Sequence, residues 1–182
     1  MKILAHAHTA RAHWLNTPIG SGAYRRWLID RGSLTRQLQL HCANFRVRPV
    51  KHSRARPQID EARLLATSVR SRILLREVQL YCDDAAVVFA QSVLPIRNLR
   101  GCWHGLVNLG SRSLGSELFA DPRVVRISLE FRKLARHHAL YRCATSQMAA
   151  PPPALWARRS VFRLRGAAIL VTEVFLPRVL GL

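Results

Sequence analysis

The sequence predicts an α+β domain, an antiparallel sheet of about six strands with helices on one side. Three observations predict it. Apolar stretches of strand length, many with period-two alternation, are separated by short turn-forming groups at Ser71–Tyr81, Val87–Pro95, Val124–Leu134 and Leu155–Pro177. Helix start and stop signals are confined to short segments near the beginning and the middle of the chain. No strand feeds a G-x-G-x-x-G turn, which excludes a dinucleotide-binding βαβ architecture. A chain of 182 residues without internal repeats fits one domain, since chains of this size bury roughly 70% of their unfolded surface. Residues 1–20 are expected to form a mobile tail and residues 21–182 the domain.

Taken in order, the tail is rich in His, Ala and Thr and closes on the turn-forming Asn16-Thr17-Pro18. His6 and His8 form an H-x-H pair with no carboxylate or Cys beside it, so a solvated terminus is expected in place of a metal site. Tyr24, Trp27 and Leu28 predict a short helix stopped at Gly32; Ser33 then caps a second, from Leu34 to about Cys42, with Leu34, Leu38 and Leu40 as its inward candidates. Phe45, Val47 and Val50 interleave with Arg46, Arg48 and Lys51 as a half-exposed strand. The basic run Lys51–Arg56 lacks interleaved aromatics and ends in Pro57, so it reads as a solvated loop, followed by a helical turn over 59–65.

Ser71–Tyr81 places Leu74, Arg76, Val78 and Leu80 on one face, with Arg76 alone among apolar residues. After the turn at 82–86, Val87–Pro95 returns as the next strand. The following stretch is glycine-rich and loop-like until Ser113 caps a short helix that Asp121-Pro122 ends. Val125, Ile127, Leu129 and Phe131 alternate in a further strand; His137-His138 reads as part of a charged loop, and Pro151-Pro152-Pro153 as a surface connection.

The closing stretch Leu155–Pro177 is a hairpin around Arg165-Gly166-Ala167. Its second arm is apolar on both faces, so it is a central strand, and Glu173 is its only charge. An ionised carboxylate there requires a cation or strong donor. Arg76 has the complementary need, and its planar fork suits a carboxylate. Two arrangements satisfy these residues: a buried Arg76–Glu173 ion pair, or a shared pocket in which a ligand carboxylate completes the bonding of Arg76.

The formal net charge is +19, from 29 Lys and Arg against 10 Asp and Glu. The basic residues are mostly Arg and are spread along the chain, which argues against a nucleic-acid tail or helix and leaves a solvated basic surface or a small anionic substrate. Cys42, Cys82, Cys102 and Cys143 are widely spaced with no C-x-x-C pair, a pattern expected of reduced thiols in a cytoplasmic protein. The sequence lacks a secretory h-region and any apolar run of about 18 residues, so no membrane insertion is expected.

Four stretches carry a family resemblance: WLIDRGSLTRQL (27–38), LLREVQLYCDDAAVVFAQSVLP (74–95), LGSRSLGSELF (109–119) and LWARRSVFRLRGAAILVTEVFLP (155–177). In order and spacing they resemble the chorismate pyruvate-lyase, or chorismate lyase, family. The resemblance implies elimination of pyruvate from chorismate to leave 4-hydroxybenzoate for the ubiquinone ring, in the cytoplasm, with no metal or organic cofactor, by a monomer with an enclosed ligand pocket beneath flaps. Carried over by position, it implies Arg76 and Glu173 as catalytic and substrate-binding residues, and Leu34 and Leu114 as further substrate contacts. One departure stands out: where some relatives carry Arg, this chain has Gln91, which leaves Arg158 or Arg163 as candidates for a second positive group. A non-enzymatic basic module for nucleic acid or an acidic partner is the alternative, and the salt dependence of binding separates the two.

Overall fold

The computed structural model describes residues 13–182, apart from the side chains at 107 and 108. Its strands are β1 (Phe45–Ala55), β2 (Ile73–Cys82), β3 (Ala85–Pro95), β4 (Val125–Ala135), β5 (Ala154–Leu164) and β6 (Ala167–Phe175). They form one antiparallel sheet in the order β1-β2-β3-β6-β5-β4, with β3 and β6 at the centre as their two-sided apolar character requires. The β5–β6 turn takes positive φ at Arg165 (48°) and Gly166 (84°), the geometry that matches the twist of a tight hairpin.

Among the described residues five α-helices accompany the sheet: α1 (Arg25–Ile29), α2 (Leu34–His41), α3 (Ile59–Leu64), α4 (Leu114–Ala120) and α5 (Ala139–Thr145). Ser33 and Ser113 cap α2 and α4 through their hydroxyls, as expected. The front face of the sheet, which carries Arg76 and Glu173, is covered by α1, α2, α4 and the 3-10 turns between 96 and 108. There Trp27, Leu28 and Leu38 pack on Val78, Leu80 and Phe175, while Leu114 and Leu118 pack with Phe162 and Ile169. The expectation of helices on one side holds only for this larger group. On the back, Tyr141 and Ala144 of α5 join the cluster around Phe89 and Val174, and Leu65, just after α3, packs with Ile73 and Leu170.

Several local expectations are corrected. Lys51–Arg56 is not a loop: β1 continues to Ala55 and pairs Lys51 with Glu77 and Ala55 with Ile73, an edge strand whose exposure accounts for its polar sequence. Helix α5 was not expected; His138, read as part of a loop, is its N-cap and accepts the Leu140 amide through Nδ1. Leu40 is 77% exposed, because only Leu34 and Leu38, four apart, share the inward stripe of α2. The thiols are not all reduced: Cys42, at the end of α2, is disulfide-bonded to Cys82, at the end of β2, with Cα atoms 5.1 Å apart, while Cys102 and Cys143 are free. His6, His8 and most of the expected tail lie outside the described residues; from Trp14 the chain is held, Leu15 exchanging two 2.8 Å backbone hydrogen bonds with Phe131.

The β4 register contains the correction with most bearing on function. Leu129 and Phe131 oppose Ser160 and Arg158 on the front, but Ile127 is left out of the ladder by a bulge between Arg126 and Ser128. One extra residue reverses side-chain parity. Val125 and Ile127, which alternate with Leu129 and Phe131 in the sequence, are 55% and 50% exposed, and Arg126 turns to the front face opposite Phe162.

Candidate active site

Strand register fixes where the two singled-out charges stand. One cross-strand row on the front face runs Val78, Ala90, Glu173, Arg158, Phe131; the next runs Arg76, Ser92, Val171, Ser160. Arg76 and Glu173 are thus two strands and one two-residue step apart, roughly 12 Å between Cα positions from ordinary strand spacing and rise. A cavity lies over them, and Leu34, Arg76, Leu114 and Glu173 all line it.

The floor is sheet: Val78, Ala90, Ser92 and Val171 between the two charges. The cover is made where α2 and α4 begin. Leu34 and Leu114 are the first residues of these helices, and the hydroxyls of Thr35 and Ser113 hydrogen-bond across the junction. Gly115 permits this approach, since a Cβ there would stand 2.9 Å from Thr35 Oγ1. Phe119, Phe162 and Arg126 also line the cavity.

Arg76 is buried and donates through Nη2 to the carbonyls of Gly110 and Arg112, both at 3.0 Å, which ties the loop before α4 to β2. Burial holds its pKa below the ordinary arginine value. It has no ion pair with a described residue, so the Arg76–Glu173 bridge considered above is absent. Glu173 Oε2 instead accepts from Arg158 Nε at 2.5 Å. Arg158 is fully buried and its Nη1 donates to Trp27 O (2.9 Å) and Asp30 O (2.7 Å), so the last carbonyls of α1 and the Glu173 carboxylate share one guanidinium.

The question raised by Gln91 has a structural answer. Its side chain is on the back, where Nε2 donates to Glu77 Oε1 at 3.0 Å. Of the proposed substitutes, Arg158 is locked behind Glu173, and Arg163 is exposed and pairs with Ala168 on the back-facing parity of β5. The further cation that faces the cavity is Arg126, which sequence reasoning missed because strict alternation along β4 points it away. A bulge leaves no signal in that pattern. Burial, with a smaller contribution from Arg158, lowers the Arg126 pKa to about 10, so it remains a cation at neutral pH.

His137 and His138 stand away from this cavity. His138 lines a second, back-face cavity, and burial pushes its pKa down to about 4. Among the described residues no group of three or more His, Cys, Asp or Glu side chains could hold a metal ion, and no helix is long and apolar enough to cross a membrane.

Residues 9–181 match the family model described as chorismate lyase. A protein of Methylobacillus flagellatus named "Probable chorismate pyruvate-lyase" is 51% identical over 94% of this chain and 97% of its own length. One of the same name from Nitrosomonas eutropha is 46% identical over 91% and 94%. Among solved structures, the effector domain of PhnF from Mycobacterium smegmatis aligns with a TM-score of 0.59 at 16% identity, over 82% of this chain and 91% of that one, a likeness of fold alone.

Proposed function

Because the chain belongs to the chorismate lyase family, we propose that it eliminates pyruvate from chorismate to leave 4-hydroxybenzoate, which supplies the ubiquinone ring, and that it does so in the cytoplasm as a monomer without metal or organic cofactor. The observation that carries this reading is the placing of Arg76 and Glu173 across one largely apolar cavity, with the substrate contacts expected at Leu34 and Leu114 closing it.

The reaction breaks the C3–O bond, whose electron pair leaves with enolpyruvate, and the C4–H bond, whose pair enters the ring. The released proton balances the enolpyruvate, which tautomerises to pyruvate. Aromatisation supplies the drive, so the protein's task is orientation in a water-poor site with charge stabilised where it develops. Arg76 anchors the ring carboxylate, for which its fork is suited. Leu34 and Leu114 cover the ring, and their amides, at the first position of each helix, have no intrahelical acceptor. Glu173, held by Arg158, accepts the ring hydroxyl and orients it.

The test is to incubate purified protein with chorismate and quantify both products with and without chelator. Equal formation of pyruvate and 4-hydroxybenzoate in either condition is expected; loss of activity with chelator contradicts the cofactor-free reading. Glu173→Gln retains an acceptor and is expected to keep kcat within about tenfold, whereas a positioned base typically contributes roughly 10²- to 10⁴-fold. A loss above a hundredfold with product affinity preserved assigns Glu173 to proton transfer.

A further inference from the structure

The β4 bulge brings into the cavity a cation that no described residue neutralises. Arg126 Nη1 donates to Arg31 O at 2.8 Å, and its guanidinium lies 4.9 Å from the Phe162 ring centroid and 5.2 Å from that of Phe119. Its Nε is buried without a hydrogen-bond partner among the described residues, and no described carboxylate forms an ion pair with it. A buried donor left unmet, on a half-buried charge that has lost part of its hydration, calls for an acceptor. The same cavity holds Arg76, while its one lining carboxylate, Glu173, is already paired with Arg158. The site is therefore short of negative charge by more than one ligand carboxylate supplies.

Chorismate carries two carboxylates and 4-hydroxybenzoate one. We propose that Arg126 binds the carboxylate of the enolpyruvyl group, so that it holds the departing three-carbon fragment and distinguishes substrate from aromatic product. The inference rests on the chorismate reading and deepens it. Phe119 and Phe162 line the cavity beside Arg126 and present rings to its guanidinium. As the C3–O bond breaks, charge accumulates on the enolpyruvate, and a fixed guanidinium on its carboxylate keeps the leaving group aligned and its charge compensated. Arg126 remains protonated throughout and exchanges no proton. When pyruvate leaves, its partner leaves with it, and the product keeps only the contacts at Arg76 and Glu173.

The test compares the two ligands in one set of variants. Wild-type turnover of chorismate is measured first; its absence would defeat the functional reading itself, before Arg126 is touched. In Arg126→Gln, kcat/KM for chorismate is expected to fall roughly 30- to 1000-fold, the usual consequence of removing one member of a desolvated charge pair. The dissociation constant for 4-hydroxybenzoate, read by titration of tryptophan fluorescence, is expected to change less than about threefold, because that ligand has no carboxylate at this end. Arg126→Lys, which keeps the charge and loses the fork, should recover part of kcat/KM, and serves if the Gln variant does not fold. Arg76→Gln should weaken both ligands. An unchanged kcat/KM in both folded Arg126 variants, or parallel losses for chorismate and 4-hydroxybenzoate, would overturn the proposal; the second outcome would make Arg126 a wall of the cavity and nothing more.

Discussion

Arg159 and Arg76 are both buried arginines of the same sheet, on opposite faces, and they are satisfied in different ways. On the back, Arg159 meets Glu130 at 2.6 Å and Asp60 at 2.7 Å and lies 4.3 Å from the Trp14 ring centroid, so two carboxylates and an aromatic face complete it. On the front, Arg76 has two backbone carbonyls and no carboxylate, and Arg126 has one carbonyl and two ring faces. A buried guanidinium met by carbonyls still lacks a counter-charge. Where the fold supplies that charge the arginine holds elements together; where the fold stops at carbonyls, the proposed function gives the position of the counter-ion to a ligand.

This comparison predicts opposite consequences for like substitutions. Arg76→Ala is expected to weaken chorismate and 4-hydroxybenzoate binding by roughly 2–5 kcal/mol, with a smaller change in unfolding free energy; equal KM and kcat in the variant would remove Arg76 from the site. Arg159→Met is expected to lower stability by about 2–3 kcal/mol, below the full cost of breaking a buried pair because Asp60 is half exposed, while the folded fraction keeps its KM. Denaturant titration beside steady-state kinetics separates the two, and a KM defect in the Arg159 variant would erase the distinction between the faces.

A smaller effect concerns pH. Burial keeps His138 neutral in the folded chain down to about pH 4, while the unfolded chain takes up the proton as pH falls through about 6.5. The stability it contributes is therefore complete above 6.5 and is lost between 6.5 and 4, about 1 kcal/mol after allowing for its solvent-exposed part. His138→Asn, which caps α5 without titrating, should flatten that part of the stability profile and leave kcat at neutral pH unchanged. A profile identical to wild type would mean that another group carries the acid sensitivity.

How much of this was legible in the sequence depends on how regular each strand is. Around Glu173 in β6 and Arg76 in β2 the ladders with β3 are unbroken, so counting by two places both on the front face and identifies the charges that need partners. In β4 the same count fails at Ile127, and Arg126 is hidden from it by one unpaired residue. Arg158 sits directly beside Glu173 across β5–β6, a partnership readable only once the hairpin register is known. The Cys42–Cys82 bond spans 40 residues and depends on α2 ending beside the β2–β3 turn, a long-range meeting that spacing alone does not encode. Strand β1 was cut short for a different reason: an edge strand needs no apolar face, so Lys51–Arg56 carries the composition of a loop.

On the proposed reading, this chain works through the front-face cavity and not through its basic surface. The most direct measurement is the melting temperature with 4-hydroxybenzoate at low and at moderate salt. Ligand at about a hundred times its dissociation constant adds about 2.7 kcal/mol, which for a domain of this size is a rise of roughly 5–10 °C. That rise is expected at both salt concentrations, since Arg76, the guanidinium proposed to bind the ligand, is buried. No rise at either, or a rise lost at moderate salt while nucleic acid stabilises the protein at low salt, would contradict it.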